Sequence, residues 1–316
     1  MVVIKPLKPS HQLQLFRALS ARKEFSPEES QYFHSLQKGY EGEKRWQDYL
    51  KELPPEIPIL YDLTLNINHT TFQIDALIIY QQHITFFEVK NYSGNFTSQD
   101  RHWYHSTDKE IKNPSIQIER NETLIRQFFK QHHLHLTFDY LLIFVNPEFM
   151  LYDATPRKNL ILPPQIPSLI KKLKQIRYTP TIHHTKIIQM LLSHQTEQPL
   201  FVIPDYTYHD VAKGLFCKKC NQRMERMANR NRMICTSCKT VYSFESALLN
   251  LIDEFSILFA PMRITNQVIY EWCNRIISKS TIRRVLGHHY ALKGNGRGAY
   301  YEKRIKHIKA NEEVDQ

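Results

Sequence analysis

The chain has 316 residues, 42% of them apolar and 12% aromatic, which fits a folded protein rather than a disordered one and leaves room for two or three domains with buried cores. No apolar run approaches the roughly 18 residues of a membrane span. The formal charge of +11 is uneven, with 23 Lys+Arg against 22 Asp+Glu in residues 1–212 and 19 against 9 in residues 213–316, so a near-neutral body is expected to carry a basic third that binds a polyanion.

Residues 1–36 are polar with scattered apolar positions and read as an N-terminal helical extension. The next stretch, GYEGEKRWQDYLKEL, puts Tyr40, Trp46, Tyr49, Leu50 and Leu53 on an amphipathic helix that Pro54-Pro55 ends. Three β-rich runs follow, at 59–67, 72–80 and 84–92. Asn113-Pro114 opens a helix with Ile118, Leu124, Ile125, Phe128 and Phe129 on its apolar side. A buried strand over 139–147, another at 159–162 and a helix in QIPSLIKKLKQI complete the pattern. The order predicts an α/β domain over 37–212, with a mixed sheet flanked by helices.

One strand carries misplaced charge. In ITFFEVKNYSG, Glu88 and Lys90 stand two apart and therefore on the same face. If Gln81-Gln82 closes a two-residue hairpin, Tyr80 pairs with His83 and Asp75 falls opposite Glu88, about 5 Å away. Two carboxylates that close repel unless a cation joins them. A hard divalent ion such as Mg²⁺ suits oxygen ligands, and Lys90 beside it can orient water or steady charge on a phosphoryl oxygen.

The residues GYEGEKRW, QIDALIIY, ITFFEVKNYSGNF, Trp103 and NPSIQ, in that order, resemble the nuclease-related domain (NERD) of the PD-(D/E)xK nuclease superfamily. The resemblance covers residues 37–150 and implies a restriction-endonuclease-like core. It implies that Asp75 and Glu88 bind Mg²⁺ or Mn²⁺ and that Lys90 assists the water. Glu43 matches the family's first-helix glutamate, and Gln117 the glutamine of its N-P-x-x-Q helix. Ile74 stands where many relatives carry Pro, and Gln81-Gln82 where they often carry Gly.

Cys217-x₂-Cys220 and Cys235-x₂-Cys238 are two knuckles fourteen residues apart. The N-terminus, MVVIKPLKPSHQLQLF, has neither the apolar stretch nor the cleavage site of a signal peptide, so a cytoplasmic, reducing location is expected. There such knuckles ligate one structural Zn²⁺ rather than pair as disulfides, and residues 213–246 resemble a zinc ribbon. Cys273 reads as a core residue.

Residues 247–310 are helical and basic and resemble a winged helix-turn-helix, followed by a flexible tail at 311–316. Thr265 and Ser278 or Ser280 are the expected helix caps. Lys279, Arg283 and Arg284 are expected to meet nucleic acid, with Lys293 and Arg297 on a wing. The expected function is metal-dependent hydrolysis of DNA phosphodiesters, with duplex the favoured partner and RNA the other nucleic acid considered. The alternative is a nucleic-acid-binding or regulatory protein on the same scaffold without turnover.

Overall fold

The computed structural model describes residues 2–99, 101–107, 109–197, 200–228 and 231–304. In chain order its elements begin with strand β1 (Val2–Lys5) and helices α1 (His11–Ser20) and α2 (Pro27–Leu50). Strands β2 (Pro58–Ile67), β3 (Thr70–Tyr80), β4 (His83–Lys90), β5 (Gly94–Gln99), β6 (His102–His105) and β7 (Glu110–Ile111) precede helix α3 (Pro114–Gln131). Then come β8 (Thr137–Phe144), β9 (Phe149–Tyr152), β10 (Leu160–Ile161), α4 (Ile166–Leu173) and α5 (Ile182–Ser193). The rest holds β11 (Met224–Arg226), β12 (Arg232–Cys235), β13 (Val241–Ser243), α6 (Phe244–Phe259), α7 (Asn266–Trp272), α8 (Lys279–His289), β14 (Tyr290–Lys293) and β15 (Tyr300–Lys303).

Two compact units result, one made of residues up to 10 with 31–201, the other of 11–30 with the chain from 202 onward. The expected extension over 1–36 is therefore not a segment of its own. Its first strand joins one unit's sheet, and its first helix belongs to the other unit. The helix expected to start near Gly39 starts at Pro27, because Ser26 and Glu29 form a capping box. Glu29 N–H donates to Ser26 Oγ (3.1 Å) and Ser26 N–H to the Glu29 carboxylate (2.9 Å), with Pro27 at the first helical position.

The first unit is built on a six-stranded mixed sheet in the order β1-β2-β3-β4-β8-β10. The β2-β3-β4 meander is antiparallel, whereas β1, β8 and β10 pair in parallel with their neighbours. On one face, Trp46 and Leu50 of α2 and Ile166, Ile170 and Leu173 of α4 cover Tyr61, Ala76, Ile78 and Phe87. On the other, Ile118, Leu124, Ile125, Phe128 and Phe129 of α3 and Ile187 and Leu191 of α5 cover Leu65, Leu77, Phe86 and Leu142. This is the expected flanked mixed sheet. The sequence reading did not find the second sheet, β7-β6-β5-β9, whose strands are two to six residues long and largely polar. Phe96, Trp103 and Phe149 from it stack into the α3-side core.

The second unit places the antiparallel strands β11-β12-β13 ahead of three helices and the β14-β15 hairpin. Thr265 and Ser278 cap α7 and α8 as expected, accepting from Val268 N–H (3.1 Å) and Thr281 N–H (3.4 Å). Ile264, between α6 and α7, pairs with Tyr301 of β15 and extends the hairpin by one bridge. The core here is pinned by Arg22, buried between the Phe216 and Trp272 rings and ion-paired with Glu254 at 2.6 Å. Its guanidinium also donates to the Ala212 carbonyl (2.9 Å). The expected tail at 311–316 lies outside the described residues.

Candidate metal and nucleic-acid sites

Gln81-Gln82 does close a two-residue turn, and Tyr80 pairs with His83. His184 anchors the turn by donating from Nε2 to the Gln81 carbonyl at 2.7 Å. The paired register runs from there to Ala76 opposite Phe87 and ends one residue short of Asp75 and Glu88. There the Asp75 carboxylate turns in and accepts the Val89 N–H at 2.7 Å. The side chains of β3 also lose their alternation at this point. Ile74 and Leu77 both face the α3-side core, while Ala76 faces the α2 side, so the pleat slips around Asp75.

Glu88 is buried. Its Oε1 accepts from Lys90 Nζ and from Gln117 Nε2, each at 2.7 Å, and Lys90 Nζ also donates to Gln117 Oε1 at 3.1 Å. The triangle fixes all three side chains, with Gln117 delivered by the first turn of α3. Asn113 sets that turn by capping Ser115 N–H at 2.9 Å, just ahead of Pro114. The other oxygen, Glu88 Oε2, is buried and has no partner.

Glu43 follows Gly42, where α2 comes closest to the end of β4. A Cβ on Gly42 would lie 2.6 Å from Asn91 Cβ, so only glycine permits this approach. Asn91 holds the contact by donating to the Lys38 carbonyl at 2.7 Å. Burial, then the charges of Asp75, Asp62 and Glu88, push the Glu43 carboxyl well above its usual range. Burial and Glu88 push Asp75 up to about 8. Lys90 is disfavoured as a cation by burial, but Glu88 and Asp75 outweigh this and raise its proton affinity. Lys90 is therefore a fixed ammonium.

Asp62, which the sequence reading passed over, is coupled electrostatically to both Glu43 and Asp75. The signal that could have found it is an acid inside an otherwise apolar run, ILYDLTLNI. The acids suit a hard divalent ion in donor chemistry: oxygen ligands only, mutual repulsion, and one buried oxygen left unpaired. They are more widely spread than the four cysteines, whose sulfurs all lie within 4.8 Å of one another.

Cys217 and Cys220 come from the turn ahead of β11, Cys235 ends β12, and Cys238 lies in the turn that follows it. Cys220 and Cys235 are 3.4 Å apart and Cys217 and Cys238 3.6 Å, far beyond a disulfide bond. Four thiolates around tetrahedral Zn²⁺ at about 2.3 Å would be separated by about 3.8 Å, so the cluster is a set that can hold zinc. Cys273 is buried away from it, as expected.

Lys279, Arg283 and Arg284 of α8 are exposed, whereas Ile282, Val285 and Leu286 of the same helix are buried. Lys293 on β14 is exposed as well. Of Arg297 the backbone alone is described, in a short 3₁₀ turn of the hairpin loop. Among the described residues no helix is long and apolar enough to cross a membrane.

Residues 38–145 match the family model of the nuclease-related domain. The matched span holds Glu43, Asp75, Glu88, Lys90 and Gln117. It stops well short of the cysteine cluster and the three helices that follow it. No curated protein and no solved structure matches the chain.

Proposed function

We propose that this protein hydrolyses DNA phosphodiester bonds with a divalent metal held by Asp75 and Glu88, with Glu43 reaching the same ion. The observation that carries the reading is Glu88, whose buried Oε2 has no partner while its Oε1 is fixed by Lys90 and Gln117. A buried carboxylate oxygen left bare is costly unless a ligand completes it. Bound Mg²⁺ or Mn²⁺ would supply charge neutralisation and a more acidic water. Lys90, held as an ammonium, positions that water or steadies charge on the phosphoryl oxygens and does not take a proton itself. Gln117 keeps Lys90 and Glu88 at one fixed separation.

The second unit supplies the affinity for duplex DNA. Zinc held by Cys217, Cys220, Cys235 and Cys238 stiffens the ribbon. The order α6, Ile264 bridge, α7, α8 and β14-β15 supports a winged helix-turn-helix reading. In it α8 offers Lys279, Arg283 and Arg284 to the major groove or its phosphates, with Lys293 and Arg297 on the wing.

The test is incubation of the full chain with supercoiled, linear and single-stranded DNA, and with RNA, in Mg²⁺ or EDTA. Cleavage of DNA that EDTA abolishes is expected, falling at least about a hundredfold in Glu88→Ala and Lys90→Ala. If DNA is bound but no substrate is cut in Mg²⁺, the protein is a binding protein on a nuclease scaffold.

A further inference from the structure

Asp62 is the one residue of β2 with a left-handed backbone, φ 51°. For a residue with a Cβ this conformation is strained and persists only where the surroundings hold it. The surroundings here are specific. Lys5 Nζ donates to the Tyr61 carbonyl (2.9 Å), to the Asp62 carbonyl and to Asp62 Oδ2 (3.4 Å). Gln73 Nε2, from β3, donates to Asp62 Oδ1 at 2.9 Å. Both carboxylate oxygens and two main-chain carbonyls at the kink are thereby satisfied.

Three strands are irregular along one line. The β1-β2 register shifts between Val3 and Lys5. In β2, Leu60 and Leu63 face one core and Tyr61 the other, so the pleat slips at Asp62. Tyr61 pairs with Ala76 and Leu63 with Ile74, which puts Asp62 directly across from Asp75, where β3 slips in turn. A sheet whose register is otherwise continuous cannot shift the pleat of one strand without accommodating it in the next.

We propose that Lys5, Asp62 and Gln73 form a lock that sets where the Asp75 carboxylate points, which makes Lys5 and Asp62 positioning residues of the metal site. The inference rests on the proposed metal site for its consequence. The lock itself does not depend on that site. Lys5 lies outside the span that matches the nuclease-related domain, so this unit's first strand would be an addition that completes the site.

Val89 N–H, which donates to Asp75 Oδ2, gives a readout that needs neither metal nor DNA. Its exchange with solvent would be followed by NMR beside the Phe86 amide, a reference inside the same strand. Asp62→Asn tolerates a left-handed backbone and keeps an acceptor, whereas Asp62→Val does not tolerate it. Lys5→Met removes the ammonium alone. Val89 exchange is expected to stay within about twofold in Asp62→Asn and to speed up at least tenfold in Asp62→Val and severalfold in Lys5→Met, with Phe86 unchanged. Calorimetric Mn²⁺ affinity should fall at least tenfold in Asp62→Val and stay within about threefold in Asp62→Asn.

Val89 exchange equal to the parent in both Asp62→Val and Lys5→Met overturns the lock. So does equal acceleration of Val89 and Phe86, which would mark general loosening of the sheet. If Asp62→Val does not fold, Lys5→Met carries the same test. Unchanged Mn²⁺ affinity in Asp62→Val overturns the positioning role. A parent that cleaves nothing sinks the nuclease reading and leaves the amide result intact.

Discussion

At the scale of single residues, the site is a set of charges held under tension. Asp75 has its carboxyl raised from an ordinary 3.8 to about 8 by burial and by Glu88. A raised folded value means the native state holds this proton more tightly than the unfolded chain does. Its contribution to stability is therefore complete below about pH 4 and is lost as pH rises through about 8. In EDTA, the melting temperature should fall across that window, and Asp75→Asn should flatten the fall while abolishing metal-dependent cleavage. Saturating Mg²⁺ should restore the parent's melting temperature near pH 8 and do nothing for the variant. A parent whose Tm is flat from pH 4 to 8 in EDTA would contradict the buried, protonated Asp75.

At the scale of elements, α2 approaches the residue that follows β4 too closely for a side chain at Gly42. Alanine is the better helix former by up to about 1 kcal/mol, so Gly42→Ala would stabilise α2 in isolation. Here the added methyl would meet Asn91 Cβ at 2.6 Å, and Asn91 is buried and tied to Lys38. Overpacking of this kind costs typically 1–3 kcal/mol, and it wins over the propensity gain. The helix must back away and take Glu43 with it. Gly42→Ala should lower stability by about 1–2 kcal/mol in a denaturant titration and cleavage at least tenfold. Gly39→Ala is the control, since a Cβ there meets nothing within 4 Å and should leave both unchanged or slightly raise stability.

At the scale of the whole molecule, chemistry is divided along the chain. The matched domain carries the acids, and the excess of basic residues lies after residue 212. Binding to duplex DNA should therefore weaken steeply with salt. Arg283→Ala and Arg284→Ala should each reduce the slope of log Kd against log salt by about one if they meet phosphates. Glu88→Ala should leave it unchanged. The parent should contain one equivalent of zinc and Cys217→Ser none, with a lower melting temperature for the second unit. Arg22 belongs to the same accounting: its buried guanidinium joins the segment around α1 to Gly214, Phe216, Glu254 and Trp272.

Much of this was legible in the sequence because the signals were local. β-rich and apolar runs located β2, β3, β4 and β8, the spacing of four cysteines located their cluster, and Asn113-Pro114, Thr265 and the Ser278–Ser280 stretch located three helix starts. Counting back from Gln81-Gln82 also gave the β3-β4 pairing as far as Ala76 with Phe87, since a two-residue turn fixes the register of the strands it joins. What the sequence could not decide depends on contacts between distant segments. The Ser26–Glu29 box was readable but lay in a stretch with too few apolar residues to draw attention. That residues 11–30 join the chain from 202 onward, while β1 joins the six-stranded sheet, is a matter of long-range packing with no periodic trace. The left-handed turn at Asp62 is of the same kind, because a strained backbone is held by Lys5 and Gln73, side chains from neighbouring strands. The sequence by itself determined which residues carry charge, which carry groups able to ligate a metal, and which runs form strands. Only the tertiary structure decided where the sheet slips and so how Asp75, Glu88 and Glu43 are aimed, because aim is set by packing across strands and not by the order of residues along one.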